Sequence, residues 1–341
     1  MMRILVTGGA GFIGGNFIHY MLDRYSDIQI VNVDALTYAG EITKHKHIEG
    51  NPQYTFVQAD ISDKQAMDTI FQLYSFDYIV HFAAESHVDR SIADPSIFLQ
   101  TNVIGTQVLL ELAKEYAVEK FMHISTDEVY GELDFATKET FTEQTPLAPN
   151  NPYSASKAAA DFLVRAYHET YGLPVNIARC SNNYGPYQFV EKLIPLTITR
   201  LLKGKKVPIY GNGKQIRDWL HCYDHCSAID FIIRNGKNGE VYNIGCQNER
   251  TNIEVVQQIM KLLEMPEGYI QFVPDRLGHD QRYAINTTKL YNLGWKPSYT
   301  FEAGLNETVQ WYIEHRDWWE PMMWQKNGRK DRDVRNEEEP V

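Results

Sequence analysis

Tyr153 and Lys157 stand four residues apart in the run Tyr153-Ser154-Ala155-Ser156-Lys157, introduced by Pro149-Asn150-Asn151-Pro152. Proline suits the first turn of a helix, and residues four apart on a helix share one face. An ammonium beside a phenol favours the phenolate, which can take a proton from a hydroxyl group. An isolated Tyr-x-x-x-Lys is also common on helices with no chemical role. A second group, Ser125-Thr126-Asp127-Glu128-Val129-Tyr130-Gly131, follows an apolar run that ends at Ile124. Two adjacent carboxyl groups there suit acid–base work, one protonated and one ionised. They equally suit a helix start, with Ser or Thr as cap and Asp-Glu facing the helix dipole. Spacing alone leaves both readings open.

These residues need a scaffold, and the amino terminus predicts one. Arg3-Ile4-Leu5-Val6-Thr7 has the composition of a buried parallel strand, and Gly8-Gly9-Ala10-Gly11-Phe12-Ile13-Gly14 follows it. An amphipathic pattern through Phe17, Ile18, Met21 and Leu22 completes strand, glycine turn and helix. Such a turn lets backbone N–H groups approach a pyrophosphate, which the helix N-terminus favours. The spacing Gly8, Gly11, Gly14 differs by one residue from the common dinucleotide fingerprint. Asp34 ends the next apolar run and lies 20 positions after Gly14, where a carboxylate accepts hydrogen bonds from an adenosine ribose and repels a 2′-phosphate. The expected cofactor is NAD rather than NADP. Beside an oxidised nicotinamide, Tyr153 would remove the proton of a sugar hydroxyl as hydride leaves.

Further strands are predicted at Ile28–Val33, Tyr54–Gln58, Tyr78–His81, Lys120–Ile124 and Val175–Arg179, and helices near Phe12–Arg24, Lys64–Tyr74, Ser96–Tyr116 and Tyr153–Tyr171. This alternation implies right-handed crossovers and an α/β, Rossmann-type doubly wound parallel sheet over residues 1–185. Asp60-Ile61 falls at the carboxyl edge of the third strand, where Asp60 either contacts adenine or caps the next turn. After Gly185-Pro186 the pattern loosens into a smaller α/β substrate-binding lobe, residues 186–320, with helices at Leu193–Leu202, Ile253–Leu263 and Phe301–His315. Asp224–Arg234 followed by Val241–Ile244 again reads helix then strand, so residues 222–246 are expected to return to the first lobe. Residues 321–341 are charged, poor in aliphatic residues and expected to be loosely ordered.

The 341 residues carry a formal net charge of −11 and no basic stripe, which argues against nucleic acid and anionic membranes as partners. Four cysteines in a chain of this size do not suggest a disulfide framework. His221-Cys222-Tyr223-Asp224-His225-Cys226 has superficial metal-ligand spacing, but no second His/Cys cluster completes it. Asp224 is expected to cap a helix whose apolar face includes Cys226, Ile229 and Ile233. The first strand begins almost at once, leaving no room for a signal peptide, and no apolar run approaches a membrane span, so the cytoplasm is the expected compartment.

Gly8-x-x-Gly11-x-x-Gly14 with Tyr153-x-x-x-Lys157 resembles the extended short-chain dehydrogenase/reductases that act on nucleotide sugars. Thr126-Asp127-Glu128, Ala83-Ala84-Glu85-Ser86-His87-Val88-Asp89-Arg90-Ser91, Asn182-Asn183-Tyr184-Gly185-Pro186 and Asp275-Arg276-Leu277-Gly278-His279-Asp280 narrow the likeness to the dTDP-glucose 4,6-dehydratase family, from about Met2 to His315. The resemblance implies that Tyr153 and Thr126 polarise the sugar 4-hydroxyl, Asp127 protonates the departing 6-hydroxyl, Glu128 handles the C5 proton and Lys157 holds the nicotinamide ribose. It implies cofactor contacts from Phe12, Ile13, Asp34, Asp60, Ile61, Ala83, Thr101, Tyr153, Lys157 and Asn183. Substrate contacts would come from Ser86, Thr126, Asn182, Lys192, Leu193, Pro208, Tyr210, Arg217, Asn252, Asp275 and His279. Independently, a diphosphate needs compact cations such as Lys192 and Arg217, and a planar base needs an aromatic face such as Tyr210. Leu277 and Val190 each stand where the family commonly has Pro, beside the proposed nucleotide contacts. The resemblance further implies a homodimer through a four-helix bundle, with Ser96–Tyr116 and Tyr153–Tyr171 as candidate helices. A nucleotide-sugar 4-epimerase would need the Tyr-Lys pair but no acid–base pair. A catalytically dead NAD-sensing protein should have lost Tyr153 or Lys157.

Overall fold

Alternate residues of the first strand face opposite layers: Ile4 and Val6 join Phe17, Ile18 and Met21 on one side, while Leu5 joins Val31, Val33 and Phe71 on the other. A strand buried on both faces has no polar position to spare, which is why its sequence is a continuous apolar run. The structure is a computed structural model and describes residues 1–275 and 278–324. Its strands are β1 (Met2–Thr7), β2 (Ile28–Asp34), β3 (Tyr54–Gln58), β4 (Tyr78–His81), β5 (Lys120–Thr126), β6 (Val175–Cys180), β7 (Asn182–Tyr184), β8 (Val207–Tyr210), β9 (Ile216–His221), β10 (Val241–Ile244), β11 (Glu249–Thr251) and β12 (Ile270–Val273).

Seven strands form one parallel sheet in the order β10-β6-β5-β4-β1-β2-β3. The order reverses between β1 and β4, and in such sheets the crevice at the carboxyl ends of the strands beside that reversal receives ligands. This is the Rossmann-type α/β sheet expected from the sequence. β5 runs to Thr126, two residues past the expected end, so Ser125 and Thr126 are strand residues paired with Arg179 and Cys180.

The expected helix Ser96–Tyr116 is present in three continuous parts: Ser96–Phe98, a π-helical stretch Leu99–Gly105, and Thr106–Glu115. Asn102 lies in the π stretch, accepting from the Glu85 backbone N–H (2.8 Å) and donating to Ser156 Oγ (2.8 Å). Hydropathy periodicity cannot reveal such a widened turn, because it moves the register by a single residue.

A second apolar core gathers Tyr184, Ile194, Ile198, Trp219, Val255, Ile259, Phe301, Leu305 and Trp319 around the small sheets β11-β9-β7 and β12-β8. The chain then re-enters the first core: the helix Cys222–Asn235 packs on Phe12–Arg24, and β10 pairs with β6. A further return was not anticipated, in which Leu290 and Trp295 join that core and Tyr283, Ala284 and Ile285 pack on Val129 and Tyr130.

Asp224 does not cap its own helix. Its carboxylate accepts from the Ser298 N–H and hydroxyl (2.8 and 2.7 Å) and the Tyr299 N–H (3.0 Å), fastening a distant loop, while His221 occupies the cap position. Pro321 does not begin a loose tail: it lies inside a helix, Arg316–Trp324, anchored by buried Trp319 and Met322. Arg276, Leu277 and residues 325–341 lie outside the described residues. Among the described residues no helix is long and apolar enough to cross a membrane.

Candidate active site

β5 ends at the carboxyl edge with Thr126, and the chain turns at once into a short 3₁₀ helix, Asp127–Tyr130. Thr126 Oγ1 accepts from the Glu128 N–H (3.2 Å), so the cap reading holds for the threonine. The carboxylates do more than face a dipole. Asp127 is only 1% exposed, with one oxygen taking the Thr126 hydroxyl (3.4 Å) and Oδ2 without a hydrogen-bond partner. Burial holds its pKa well above the ordinary carboxyl range, Glu128 and Asp218 push the same way, and Arg217 opposes them. A carboxyl group in that setting holds its proton to higher pH than an exposed one and can donate it. Glu128 accepts from the Ser154 hydroxyl at 3.3 Å.

The helix Pro152–Tyr171 delivers the partner residues. Proline occupies its first turn, and Asn151 caps it by accepting from the Ser154 N–H (2.9 Å), with the Ser154 hydroxyl, which also reaches Glu128, 3.0 Å from the same oxygen. Tyr153 and Lys157 are buried, and Tyr153 hydrogen-bonds Thr126. Lys157 Nζ donates to the Ile124 carbonyl (2.7 Å), with Asp161 as its main favourable charge, and burial lowers its pKa to about 8. The sequence expectation that Lys157 would lower the Tyr153 pKa is not met by the chain's own groups. Burial, with Glu128 next, pushes the phenol well above 10.

Beside this group lies the glycine turn. Gly8 has φ +74°, and a Cβ there would lie 2.5 Å from the Ala83 backbone nitrogen, so only glycine lets β1 and β4 open the crevice at this point. Gly11 donates to the Gly8 carbonyl (3.1 Å), and the helix holding Phe12, Ile13 and Gly14 starts immediately after. The first N–H groups of that helix are donors suited to a pyrophosphate. Asp34 closes β2, accepting from the Ala10 N–H (3.0 Å) and Leu36 N–H (2.8 Å) with lone pairs left over. These residues fit a dinucleotide. Asn183 accepts from His225 Nδ1 (2.9 Å) and donates to the Ser181 carbonyl (2.9 Å). Thr101 lies in the π-helical stretch, which Ile61 abuts at Gly105. Asp60 accepts from the Ser62 N–H and hydroxyl (both 2.8 Å), the capping alternative.

On the other side, Pro208 and Tyr210 belong to β8, and the Tyr210 ring meets His279 edge-on at 6.2 Å. His279 contacts Asp275 at 2.6 Å; Gln215 donates to Asp275 (3.1 Å), and its carbonyl takes the Asn252 N–H (3.0 Å). These five predicted residues therefore form one cluster. Lys192 reaches the Ser86 carbonyl (3.3 Å), and Leu193 opens the next helix. Asn182, on β7, has its side-chain oxygen buried without a partner. Arg217 is more enclosed than an exposed phosphate clamp: it donates to the Ile216 and Asp280 carbonyls (both 2.8 Å) and lies 4.3 Å from the Tyr283 ring centre. Sequence reading overlooked Ser154 and His225, whose contacts orient Glu128 and Asn183. Ser154 was visible inside the Tyr-Lys run, whereas His225 invited only a metal reading. Among the described residues no three His, Cys, Asp or Glu side chains gather to hold a metal.

Residues 5–308 match the family model described as GDP-mannose 4,6 dehydratase. A dTDP-glucose 4,6-dehydratase of Xanthomonas campestris pv. campestris (strain B100) is 52% identical over 337 residues, covering 93% of this chain and 95% of that protein. The solved dTDP-glucose 4,6-dehydratase of Bacillus anthracis str. Ames, in complex with NAD, is 54% identical with a TM-score of 0.88, covering 94% of this chain and 100% of that one. That of Streptomyces venezuelae, with NAD and dTDP bound, is 47% identical with a TM-score of 0.90 over the same shares. With likeness of this extent added to an acid–base pair beside a Tyr-Lys pair, the chain belongs to the dTDP-glucose 4,6-dehydratase family of extended short-chain dehydrogenase/reductases.

Proposed function

We infer that the protein is a NAD-dependent hydro-lyase that converts dTDP-glucose to dTDP-4-keto-6-deoxy-glucose and water. The observation that carries this reading is the pair Asp127 and Glu128: one carboxyl is buried and held in its protonated range, the other is adjacent and oriented by Ser154. A 4-epimerase has no use for such a pair. NAD⁺, which the glycine turn, Asp34 and Lys157 would hold, would supply hydride acceptance at C4 and hydride return at C6, and a positive charge that favours the Tyr153 phenolate. Tyr153 takes the 4-hydroxyl proton, with Thr126 bonded to the same phenol, and Lys157 would hold the nicotinamide ribose. The resulting ketone makes the C5 proton acidic, Glu128 removes it, and Asp127 protonates the leaving 6-hydroxyl. The cluster of Tyr210, Asn252, Asp275 and His279 would hold the nucleobase. Lys192 and Arg217 would face the diphosphate. The 1–185 and 186–320 division, with its return at 222–246, serves this reading as cofactor lobe and substrate lobe.

Residence in the cytoplasm and a homodimer go with this reading. Ile97, Leu99, Ile104, Phe162 and Tyr171 are large apolar side chains exposed on the helices Ser96–Glu115 and Pro152–Tyr171, a face suited to a four-helix bundle. The reaction is tested with dTDP-glucose carrying deuterium at C4. The label should appear at C6 of the product, with a solvent deuteron at C5 when the reaction runs in heavy water. Label returned to C4, or left in released NADH, would overturn the assignment. Offering UDP-glucose and GDP-mannose separately checks the nucleotide.

A further inference from the structure

Three successive carbonyls of the glycine turn are held by one short segment. His45 Nε2 meets the Gly9 carbonyl (2.7 Å), the Glu41 N–H donates to the Ala10 carbonyl (2.9 Å), and Lys44 Nζ donates to the Gly11 carbonyl (2.6 Å). Lys44 and His45 are 2% and 3% exposed, although a lysine and a histidine in a seven-residue 3₁₀ turn would ordinarily face water. A carbonyl accepts only, so His45 carries its proton on Nε2, and its Nδ1 accepts from His19 Nε2 (3.0 Å).

The fifth glycine of the run, already inside the helix, is explained by this segment. Gly15 lies outside the 8-11-14 spacing, yet a Cβ there would lie 2.6 Å from Lys44 Cδ. The turn is cut back to admit the lysine stem. In a trans peptide the C=O and N–H point oppositely, so a carbonyl fixed from behind aims the next N–H forward. Holding Gly9, Ala10 and Gly11 fixes the peptide that follows each: the Ala10 N–H donates to Asp34 (3.0 Å), the Gly11 N–H donates to the Gly8 carbonyl (3.1 Å), and Phe12 opens the helix.

We propose that Lys44 and His45 are positioning residues for the dinucleotide, locking the glycine turn so that the helix start at Phe12 meets the pyrophosphate, while Lys44 sets a buried positive charge behind it. The proposal rests on the NAD reading above. The charged and titratable groups around Lys44 are Asp34 from β2, Glu41 before the turn, His19 from the helix Phe12–Arg24 and His45 beside it; Lys46, His47, His315 and Asp317 line the same groove of about 410 Å³. Burial lowers the Lys44 pKa to about 7, so the charge is present below neutrality and fades above it unless an anion restores it.

The test is NAD binding by calorimetry on protein stripped of nucleotide, with dTDP binding as the fold control. Lys44→Met should weaken NAD by about 10- to 100-fold, the span of a charged hydrogen bond, and leave dTDP within twofold. NAD affinity of the parent should fall as pH rises above 7, and Lys44→Met should lose that slope. His45→Leu should weaken NAD, and His45→Gln, which keeps an N–H for Gly9, should recover much of the loss. Should Lys44→Met fail to fold, Gly15→Ala reads the same contact: it should weaken NAD in the parent and add nothing in a Lys44→Ala background. Variants that change only the melting temperature, with NAD affinity unaltered, overturn the proposal. A parent chain that binds dTDP but no NAD overturns the cofactor reading beneath it.

Discussion

Asp127 shows how one residue trades stability for chemistry. Its pKa in the folded chain is raised by burial above the ordinary 3.8, so the folded state holds a proton the unfolded state releases. The linked stability is fully present below about pH 4 and declines as pH rises towards the folded pKa, by about 1.4 kcal/mol per pH unit within that window. Asp127→Asn removes the titration. Its melting temperature should exceed that of the parent, by a smaller margin at pH 5 than at pH 7. Its turnover should fall about 100-fold or more through loss of the general acid, while single-turnover NADH formation stays within a few-fold of the parent. A variant that gains no stability at pH 7 would contradict the buried, protonated carboxyl. One whose NADH formation fails would place Asp127 in the first oxidation instead.

The helix Pro152–Tyr171 carries Tyr153 and Lys157 in its first two turns, so its start decides their positions. Asn151 secures that start by accepting from the Ser154 N–H, and the Ser154 hydroxyl lies within reach of both Asn151 and Glu128. Asn151→Ala should cost about 1 kcal/mol, the usual value of an N-cap, and Asn151→Ser should restore most of it. Thermal unfolding measures the first effect. Stopped-flow NADH formation measures the second, because a frayed first turn displaces the phenol. Equal NADH rates in Asn151→Ala and the parent would mean that Tyr153 is held by Thr126 and its packing rather than by the cap.

The outer face of the helices Ser96–Glu115 and Pro152–Tyr171 bears on assembly. Phe162 is 59% exposed and Leu99 54%, costly positions for a chain that remains alone in water. Phe162→Asp should convert a dimer to a monomer in light-scattering chromatography at micromolar concentration, with NAD affinity within a few-fold of the parent. A parent already monomeric under those conditions ends the bundle reading.

The Rossmann-type sheet, the glycine turn, Asp34, the Tyr-Lys pair and the Thr-Asp-Glu run were legible in the sequence, because each is a local pattern. Strand and helix periodicity, glycine spacing and a four-residue separation act over a few positions, and the chain at those positions has little choice. What Asp127 and Tyr153 are worth chemically was decided only by tertiary structure, since the Asp127 proton depends on burial beside Glu128, Asp218 and Arg217, and the Tyr153 proton on burial beside Glu128. The same holds for Asp224, whose partners Ser298 and Tyr299 lie more than 70 residues away. It holds for the return of Tyr283–Ile285 and Trp295 to the first core as well. Lys44 and His45 are the sharpest case: nothing in a run of charged and polar residues marks two of them as buried. Only the approach of that turn to carbonyls 33 and 36 positions earlier takes them out of water.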